Sequence, residues 1–411
     1  MSKEPGALAR YDAVLRRPHV LSLLAVGFLG RLPHSVTAVL VTLHVTRTLG
    51  LDYASAGLAA AVLTIGIALG SPWRGRRIDT VGLRRAVAPS IVVESLAWGL
   101  APFANFPVLL VLLFAAGLYA LPVFTIVRQS LGVLMEGDER RTAFSLDSIA
   151  TELVFIVGPG ASAVVAGRLS SVLAMEAVGA LVVIAGLVLL WRNPPTRSSQ
   201  LPGSHREQLD TATLPLVAAA SRPPARRFAW VTATVAAMLV LSAGAGLSLS
   251  GAEVGVVAFS EHAGASGAGL WWAYGIWSAA SLVGGVVYGA QRRRIDPLAI
   301  ITVLGLAMVP VAWAPDMLWL GLLLVPSGFF IAPLMTAASE RLTEVVAERH
   351  RGEAMGWYGS AMTGGTAIGT PLVGLVIDAA GPSSAFLALA LVAALTGVGT
   401  MVLRSARRRR A

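Results

Sequence analysis

Apolar residues occur in long runs along this chain, separated by short polar breaks. Each run can cross a hydrocarbon core of ~30 Å as a helix that rises about 1.5 Å per residue. The twelve runs, numbered here as segments 1 to 12, span residues 20–46, 54–72, 86–103, 107–131, 142–167, 171–191, 229–258, 267–290, 297–314, 316–339, 354–378 and 382–403. This pattern predicts an all-α polytopic membrane protein with twelve transmembrane helices.

A hydrophilic stretch divides the segments into two sets of six. Residues 192–228 contain paired prolines and charged residues and show no apolar period of their own. We therefore predict an N-terminal six-helix bundle (1–191), a cytoplasmic linker (192–228) and a C-terminal six-helix bundle with a short basic tail (229–411).

An internal repeat supports this division. Six residues recur at an offset of 211 positions, which indicates a duplicated six-helix unit. They are Pro122, Thr125, Leu131, Arg140, Ala143 and Gly158, matched by Pro333, Thr336, Leu342, Arg351, Ala354 and Gly369.

Basic residues are concentrated in alternate polar breaks. With the N-terminus placed in the cytoplasm, 29 of the 32 lysine and arginine residues fall in cytoplasmic stretches, and only Arg47 and Arg168 fall on the other side. Cytoplasmic loops of membrane proteins carry such an excess. We expect both termini to be cytoplasmic, in a multi-pass protein of the bacterial inner (plasma) membrane. The remaining basic residue, Arg31, lies within segment 1.

Composition excludes several kinds of chemistry. Hydrophobic residues make up 55% of the chain and charged residues 13%, against about 25% charged in soluble proteins. There is no cysteine, and Lys3 is the only lysine, so neither a thiolate metal site nor a phosphate-binding loop is expected. The net charge of +10 is spread over loops and forms no nucleic-acid-binding face. We expect no enzyme activity, no cofactor and no metal.

The break after segment 2 resembles the signature loop of the major facilitator superfamily, G-x-x-x-D-x-x-G-x-[RK]-[RK]. It reads Gly75-Arg-Arg-Ile-Asp79-Thr-Val-Gly82-Leu-Arg84-Arg85. Thr80 and Leu83 stand where the family usually has basic residues. The resemblance implies the family's fold of two pseudo-symmetric six-helix bundles, and a secondary transporter that works as a monomer.

The same resemblance implies a role for this loop. A charged cluster at the inner ends of the helices is expected to latch the two bundles together in the outward-facing state, through charge and helix-end contacts. Arg128, at the inner end of segment 4, is a candidate partner for Asp79. The alternative is that the arginines only set topology, but this does not explain Asp79 or Gly82.

Segment 5 contains a second element that resembles the family. Gly158-Pro159 looks like a degraded form of the antiporter motif of the family's exporters. A Gly-Pro step bends a helix and allows close backbone approach, so a hinge is predicted there; an ordinary packing face of small residues is the alternative. Leu113 stands where proton-coupled members often have an arginine, which weakens a simple transfer of proton coupling.

Ionisable residues inside the segments are candidates for function because charge in hydrocarbon is costly. The candidates are Arg31, Glu94, Glu152, Glu176 and Glu253. Arg31 requires an acidic or anionic partner; we expect Glu152 to be that partner, with Glu94 as the second choice. Making and breaking this pair would load and release a proton as the bundles rock. A pair that only joins two helices is the alternative.

The sequence limits the substrate mainly by disfavouring certain classes of compound. Both asparagines lie in polar breaks, which disfavours sugars because their sites rely on side-chain amides. His34 and Trp277 are candidates to line a cavity that is otherwise apolar. The sequence therefore favours proton-coupled efflux of hydrophobic or amphipathic small molecules (multidrug or metabolite export), with protons and membrane lipids as partners. Uptake of a small organic anion bound by Arg31 is the first alternative. A non-transporting membrane sensor or lipid-handling protein is the second.

Overall fold

The computed structural model describes residues 7–17, 19–168, 170–201, 228, 230–264, 267–291 and 293–408, and in these residues the regular structure is helical throughout. In chain order the α-helices are α1 (Ala7–Leu15), α2 (Val20–Leu43), α3 (Tyr53–Val81), α4 (Leu83–Leu100), α5 (Phe106–Tyr119), α6 (Val123–Leu134), α7 (Gly137–Arg168), α8 (Ser171–Arg192), α9 (Ala233–His262), α10 (Gly267–Ala290), α11 (Pro297–Met308), α12 (Met317–Phe329), α13 (Ile331–Val345), α14 (Arg351–Ala380) and α15 (Pro382–Arg408). The predicted all-helical fold is confirmed, and each predicted segment coincides with a helix or a pair of helices.

Segments 4 and 10 are each interrupted near the middle. Segment 4 comprises α5 and α6, and segment 10 comprises α12 and α13. Pro122 occupies the cap position of α6 with ψ of 54°, and a proline both lacks an N–H and disfavours helical geometry in the residue before it. Its repeat counterpart Pro333 lies in the first turn of α13, where proline is tolerated. The repeat found in the sequence therefore marks a shared break in the helices.

The helices suit a bilayer. In the described part of the chain, nine helical stretches are long and apolar enough to cross a membrane, and Pro297–Trp313 is a shorter apolar helix. Large apolar side chains cover the outer faces; examples are Leu69, Leu96, Leu375 and Leu395, each about three-fifths exposed. An apolar surface of this extent is unfavourable in water but favourable against lipid. The chain is a multi-pass membrane protein.

Helix packing repeats between the residues before 202, called the first half, and those after 229, called the second half. In the first half α2 packs on α7, α3 on α5 and α4 on α8; in the second half α9 packs on α14, α10 on α12 and α11 on α15. These pairs occupy matching places in the duplicated unit. Each half has its own hydrophobic cluster, one within residues 14–189 and one within 230–393.

The halves meet mainly through two helix pairs, α3 with α14 and α7 with α10. Most of the hydrogen bonds between the halves in the described residues lie toward the side that carries the arginine-rich breaks, called the basic end here. The short helix α1, which the hydropathy pattern does not predict, also lies at this end, against α7 and α10. Most of the predicted linker, residues 202–227, lies outside the described residues.

Candidate functional site

A buried ion pair lies inside the first half. Arg31 of α2 is 2.7 Å from the Oδ1 atom of Asp147 on α7, and both side chains are fully buried. The guanidinium of Arg31 also lies 4.5 Å from the ring centre of Phe124. Neither Glu152 nor Glu94 is the partner of Arg31, so that prediction was wrong. Because α7 begins at Gly137 rather than near residue 142, Asp147 lies nearly three turns inside the helix, and hydropathy alone did not show this depth.

Arg128 joins this pair and extends it to the second half. Its Nε atom is 3.1 Å from Oδ2 of Asp147, so one carboxylate lies between two guanidinium groups. Its Nη1 atom donates a hydrogen bond to the hydroxyl of Ser339 on α13. Arg128 is therefore not the partner of Asp79, contrary to the sequence-based hypothesis. Ser339 is the repeat counterpart of Arg128 at the offset of 211, and the two lie where the halves meet.

Asp79 instead caps a helix of the opposite half. Its carboxylate accepts hydrogen bonds from the backbone N–H of Gly352 at 2.9 Å and of Glu353 at 2.8 Å, in the first turn of α14. The side chain of Gln129 donates a third bond at 2.9 Å. A carboxylate at a helix N-terminus satisfies free N–H groups and opposes the positive end of the helix dipole. Asp79 thus links α3 to α14.

Close backbone contact accompanies this cap. A Cβ atom on Gly352 would overlap the carbonyl oxygen of Gly75 and the carboxylate of Asp79, so only glycine fits on α14 at this point. Gly82 has φ of +84°, a left-handed conformation that favours glycine, and it ends α3. Within the predicted latch loop, residues 75–85, Gly75 and Asp79 contact the second half.

The two arginines of the loop have local positions. The Nε atom of Arg84 donates a hydrogen bond to the carbonyl of Leu190 at 3.0 Å, at the end of α8 in its own half. The side chain of Arg85 is exposed. These positions suit residues that fix helix ends and topology.

Further hydrogen bonds close the basic end. Arg141 of α7 is 3.3 Å from the carboxylate of Glu340 on α13 and donates to the carbonyl of Gln291 at 2.9 Å. Further hydrogen bonds cross the same boundary. The hydroxyl of Thr142 donates to the carbonyl of Gly289 (2.8 Å), and the hydroxyl of Ser360 donates to the carbonyl of Ala68 (2.6 Å). The hydroxyls of Ser148 and Thr336 are hydrogen-bonded to each other (2.9 Å). The halves are thus joined by polar contacts as well as by packing.

Two carboxylates lie on helices of opposite halves, farther from the basic end. Glu152 of α7 accepts a hydrogen bond from the hydroxyl of Ser281 on α10 at 3.1 Å. Glu253 of α9 has an exposed side chain and lies within electrostatic range of Glu152. Neither has a lysine or arginine within 4 Å in the described part of the chain.

Glu94 has a structural contact. Its carboxylate accepts the backbone N–H of Leu121 at 2.8 Å, in the break between α5 and α6. That N–H has no helical acceptor because the helix stops at Tyr119. The charge of Arg74 acts on Glu94, with no contact within 4 Å between the two side chains. Glu94 therefore stabilises the broken helix and does not pair with Arg31.

The two predicted cavity residues lie in different settings. His34 is half-buried, one turn beyond Arg31, with Nδ1 3.3 Å from the carbonyl oxygen of Gly30. Trp277 is 5% exposed and packs against Gly328 of α12, so it belongs mainly to the contact between α10 and α12. Its neighbour Tyr274 is half-buried, with ring centres 6.4 Å apart.

Gly158 and Pro159 lie in the outer part of α7, where the side chains are outside the described residues. The helix continues through both positions to Arg168. The hinge remains a prediction. Among the described residues, there is no group of three or more histidine, aspartate and glutamate side chains that could hold a metal ion.

Two helical halves with matching packing, joined at one end and enclosing charged side chains, define a multi-pass membrane transporter rather than an enzyme. The family model of the Major Facilitator Superfamily matches residues 23–315 and 292–411. The chain belongs to the Major Facilitator Superfamily, whose members carry out secondary transport.

Solved transporter structures share this fold. The human organic anion transporter MFSD10 (TETRAN) is 16% identical with a TM-score of 0.68, covering 93% of this chain and 100% of that one. The proton:xylose symporter XylE is 14% identical with a TM-score of 0.70, covering 92% and 94%. A bacterial homologue of the iron transporter ferroportin, in an outward-facing state, is 15% identical with a TM-score of 0.70, covering 93% and 99%. At these identities the likeness shows the fold alone. No curated protein sequence matches this chain significantly.

Proposed function

We propose that this transporter exports hydrophobic or amphipathic small molecules in exchange for protons, by alternating access across the bacterial inner membrane. The observation that carries this proposal is the pair of carboxylates, Glu152 of the first half and Glu253 of the second half. Both lack a basic partner in the described residues. A carboxyl group with no cation beside it can hold a proton in a low-dielectric site.

The arrangement of contacts fits an outward-facing state. The basic end is cytoplasmic by the distribution of arginine, and it is closed by the cap of Asp79 on α14 and by the bond from Arg141 to Gln291. Along α7 and α10, the hydrogen bond between Ser281 and Glu152 is the one farthest from the basic end in the described residues. The site beyond it would therefore face the outside.

Alternating access would expose the two carboxylates to each side of the membrane in turn, so the proton gradient could drive transport. In the outward-facing state Glu152 and Glu253 would take up protons from the more acidic exterior. Opening of the basic end would separate α7 from α10, expose both groups to the cytoplasm and release the protons. Asp147 is already contacted by Arg31 and Arg128, so it serves as their counter-charge. Proton uptake and release are therefore assigned to the two glutamates.

Substitution of the glutamates tests this proposal. In proteoliposomes, Glu152→Gln and Glu253→Gln should abolish substrate movement driven by a pH gradient, while substrate exchange without a gradient continues. Glu261→Gln is the matched control, since Glu261 lies on the same helix as Glu253 with an exposed side chain. Wild-type coupling in both variants would refute the proton role.

One observation favours a second candidate, uptake of a small organic anion. Arg31 and Arg128 share a single carboxylate, and Nε and Nη1 of Arg31 have no hydrogen-bond partner in the described residues. An anion could occupy these groups. Accumulation of a labelled organic acid that disappears in Arg31→Gln, together with no export of lipophilic compounds, would favour this function.

A further inference from the structure

We propose that the start of the linker, residues 194–201, called the strap here, fastens the basic end in its closed state and must leave the second half before that end can open. The strap follows α8 of the first half and contacts the turn Glu348–His350 of the second half. The inference goes beyond the proposed export function, because it concerns the opening of the basic end and holds for either direction of transport.

The strap has a defined conformation of its own. After α8 ends at Arg192, two consecutive prolines prevent the helix from continuing. The side-chain oxygen of Gln200 accepts hydrogen bonds from the backbone N–H of Thr196 at 2.7 Å and of Arg197 at 3.1 Å, and it closes a short turn of 3₁₀-helix, Ser198–Gln200. Both bonds lie within the strap, so its shape does not depend on the second half.

One residue of the strap contacts the end of α3 in the first half. The guanidinium of Arg197 donates hydrogen bonds to the backbone carbonyl of Asp79 and, at 3.4 Å, to that of Ile78. The carbonyl groups in the last turn of a helix attract positive charge. The neighbouring residue, Thr196, is fully buried. The strap is therefore anchored to the first half at the same residue whose carboxylate caps α14.

The next residue of the strap binds the opposite half. The backbone N–H of Ser198 donates to one carboxylate oxygen of Glu348 at 2.5 Å, and its hydroxyl donates to the other at 2.7 Å. Hydrogen bonds to an ionised acceptor are stronger than those between neutral groups. Ser198 belongs to the chain that leaves α8, whereas Glu348 lies just before α14. Both bonds therefore cross the boundary between the halves.

The turn Glu348–His350 is held by the second half. Trp230, at the far end of the linker, stacks on His350 with ring centres 6.1 Å apart and an angle of 18° between the ring planes, and its side chain is buried. The helix α14 begins directly after this turn. Glu348 therefore moves with α14 and cannot follow the strap when α3 and α14 separate.

Opening of the basic end consequently breaks the contact of the strap. Arg197 is bound to α3 and Glu348 precedes α14, so a widening gap between these helices cannot be spanned by two adjacent strap residues. A contact that exists only in the closed state shifts the equilibrium toward that state. In this way the linker adds to the closure that Asp79 supplies from α3.

Thiol labelling at a distant position tests the strap. Ser148→Cys gives the cysteine-free chain one thiol on α7, at a buried position that contacts Thr336 of α13, so its reaction with N-ethylmaleimide reports separation of the halves. In the full-length protein in detergent, Glu348→Ala should raise the labelling rate about fivefold. Ser198→Ala, which loses only the hydroxyl bond, should raise it less. Glu136→Ala is the matched control, since Glu136 has an exposed side chain just before α7, and it should leave the rate unchanged.

Two combined variants distinguish loss of this contact from damage to the fold. Ser198→Ala with Glu348→Ala should label no faster than Glu348→Ala alone, because both changes remove the same contact. Ser198→Asp places a second carboxylate against Glu348 and should label faster than Ser198→Ala, since like charges repel. Adding Glu348→Lys to Ser198→Asp should bring the rate back toward that of the parent, and a general loss of stability would not be reversed in this way.

The outcomes are decisive for the strap and independent of the export proposal. Parent-like labelling in Glu348→Ala, additive effects in the double alanine variant, or no recovery in Ser198→Asp/Glu348→Lys would overturn the inference. Faster labelling that is not additive and that the charge pair reverses would support it. These measurements use neither a proton gradient nor a substrate, so the strap stands if gradient-driven export fails, and export stands if the strap fails.

Discussion

Asp147 balances two buried positive charges, Arg31 and Arg128, with one carboxylate. Both of its oxygen atoms are engaged, at 2.7 Å and 3.1 Å, and its side chain is fully buried. Breaking a buried pair leaves an uncompensated charge and costs roughly 3–5 kcal/mol. The stability of the first half therefore depends strongly on this residue.

Asp147→Asn should consequently lower the free energy of unfolding of the purified protein by several kilocalories per mole. Its melting temperature, measured by intrinsic fluorescence in detergent, should fall accordingly. A second substitution, Arg31→Met, should restore part of the loss because it removes the orphaned charge. Asp12→Asn is the control, since Asp12 forms an exposed pair with Arg16. A melting temperature equal to that of the parent in Asp147→Asn would contradict the role given to this pair.

Glu94 makes a different prediction because its partner is a backbone N–H. Glu94→Gln keeps an acceptor oxygen for Leu121 and should keep both stability and transport. Glu94→Leu leaves that buried N–H unsatisfied, at a cost of about 1–3 kcal/mol. Comparison of melting temperatures and gradient-driven transport for the two variants checks this. Loss of coupling in a stable Glu94→Gln protein would show that Glu94 carries protons after all.

The sequence alone singles out some of these residues. Asp79 was recognised from the spacing of its loop, and the buried position of Arg31 followed from its place within an apolar run. The partners were not predictable, because Asp147 lies at the polar start of segment 5 and its depth depends on where α7 begins. Ser281 and Ser339 carry no charge, so nothing in the sequence distinguished them from other serines.

At the scale of helices, α1 joins the two halves through hydrogen bonds at the basic end. Tyr11 donates a hydrogen bond to the carbonyl of Val286 on α10 at 2.6 Å, and its hydroxyl lies 3.4 Å from that of Ser145 on α7. Arg10 donates to the carbonyl of Ala290 at 2.5 Å. Burial raises the pKa of the Tyr11 phenol, so the hydroxyl stays protonated and able to donate at physiological pH.

Tyr11→Phe removes this hydroxyl and keeps the ring. A buried hydrogen bond contributes about 1 kcal/mol, which corresponds to about a fivefold change in an opening equilibrium. Hydrogen exchange read by mass spectrometry should therefore be faster by about this factor in the peptide that contains residues 285–290. Ser22→Ala, which removes only an exposed local bond to His19, should leave that peptide unchanged. An equal exchange rate in the Tyr11 variant would argue against this role of α1.

The number of apolar segments could be predicted from the sequence, but the bounds of the helices and the breaks within them could not. Hydropathy reports where a chain crosses the hydrocarbon, so it identified twelve segments. It cannot detect the helical turns of α3 beyond residue 72, which carry arginines outside the apolar run. The breaks in segments 4 and 10 depend on Pro122 and Pro333, whose effect on a membrane helix varies with the neighbours that satisfy the freed backbone groups.

For the whole molecule, we predict that the cap of Asp79 on α14 favours the state in which the basic end is closed. Asp79→Asn replaces one accepting oxygen by an amide that faces the N–H groups of Gly352 and Glu353. Loss of a helix cap costs about 1 kcal/mol, so the open population should rise about fivefold.

The absence of cysteine from the chain makes this measurable by labelling. Ser145→Cys places a single thiol at a fully buried position between α7 and α10. Maleimide should react with it slowly in the parent and several-fold faster when Asp79→Asn is added. Arg85→Gln, at an exposed site, should not alter the rate. Unchanged labelling in the Asp79 variant would exclude the latch.

Assembly of the halves could be predicted only in outline. The repeat and the linker indicated two similar units. Their contact depends on backbone approach at Gly75 and Gly352 and on neutral partners such as Gln129. Neither feature has a distinctive pattern in one sequence.

The contact between Arg128 and Ser339 bears on the origin of the molecule. These residues hold equivalent positions in the repeat, so in a symmetric dimer of a single ancestral unit the same side chain would meet its own copy. Two arginines facing each other in hydrocarbon would repel. With arginine in one copy and serine in the other, the guanidinium of Arg128 meets a hydroxyl instead. Divergence of the two copies at this position therefore allows a positive charge to lie where the halves meet.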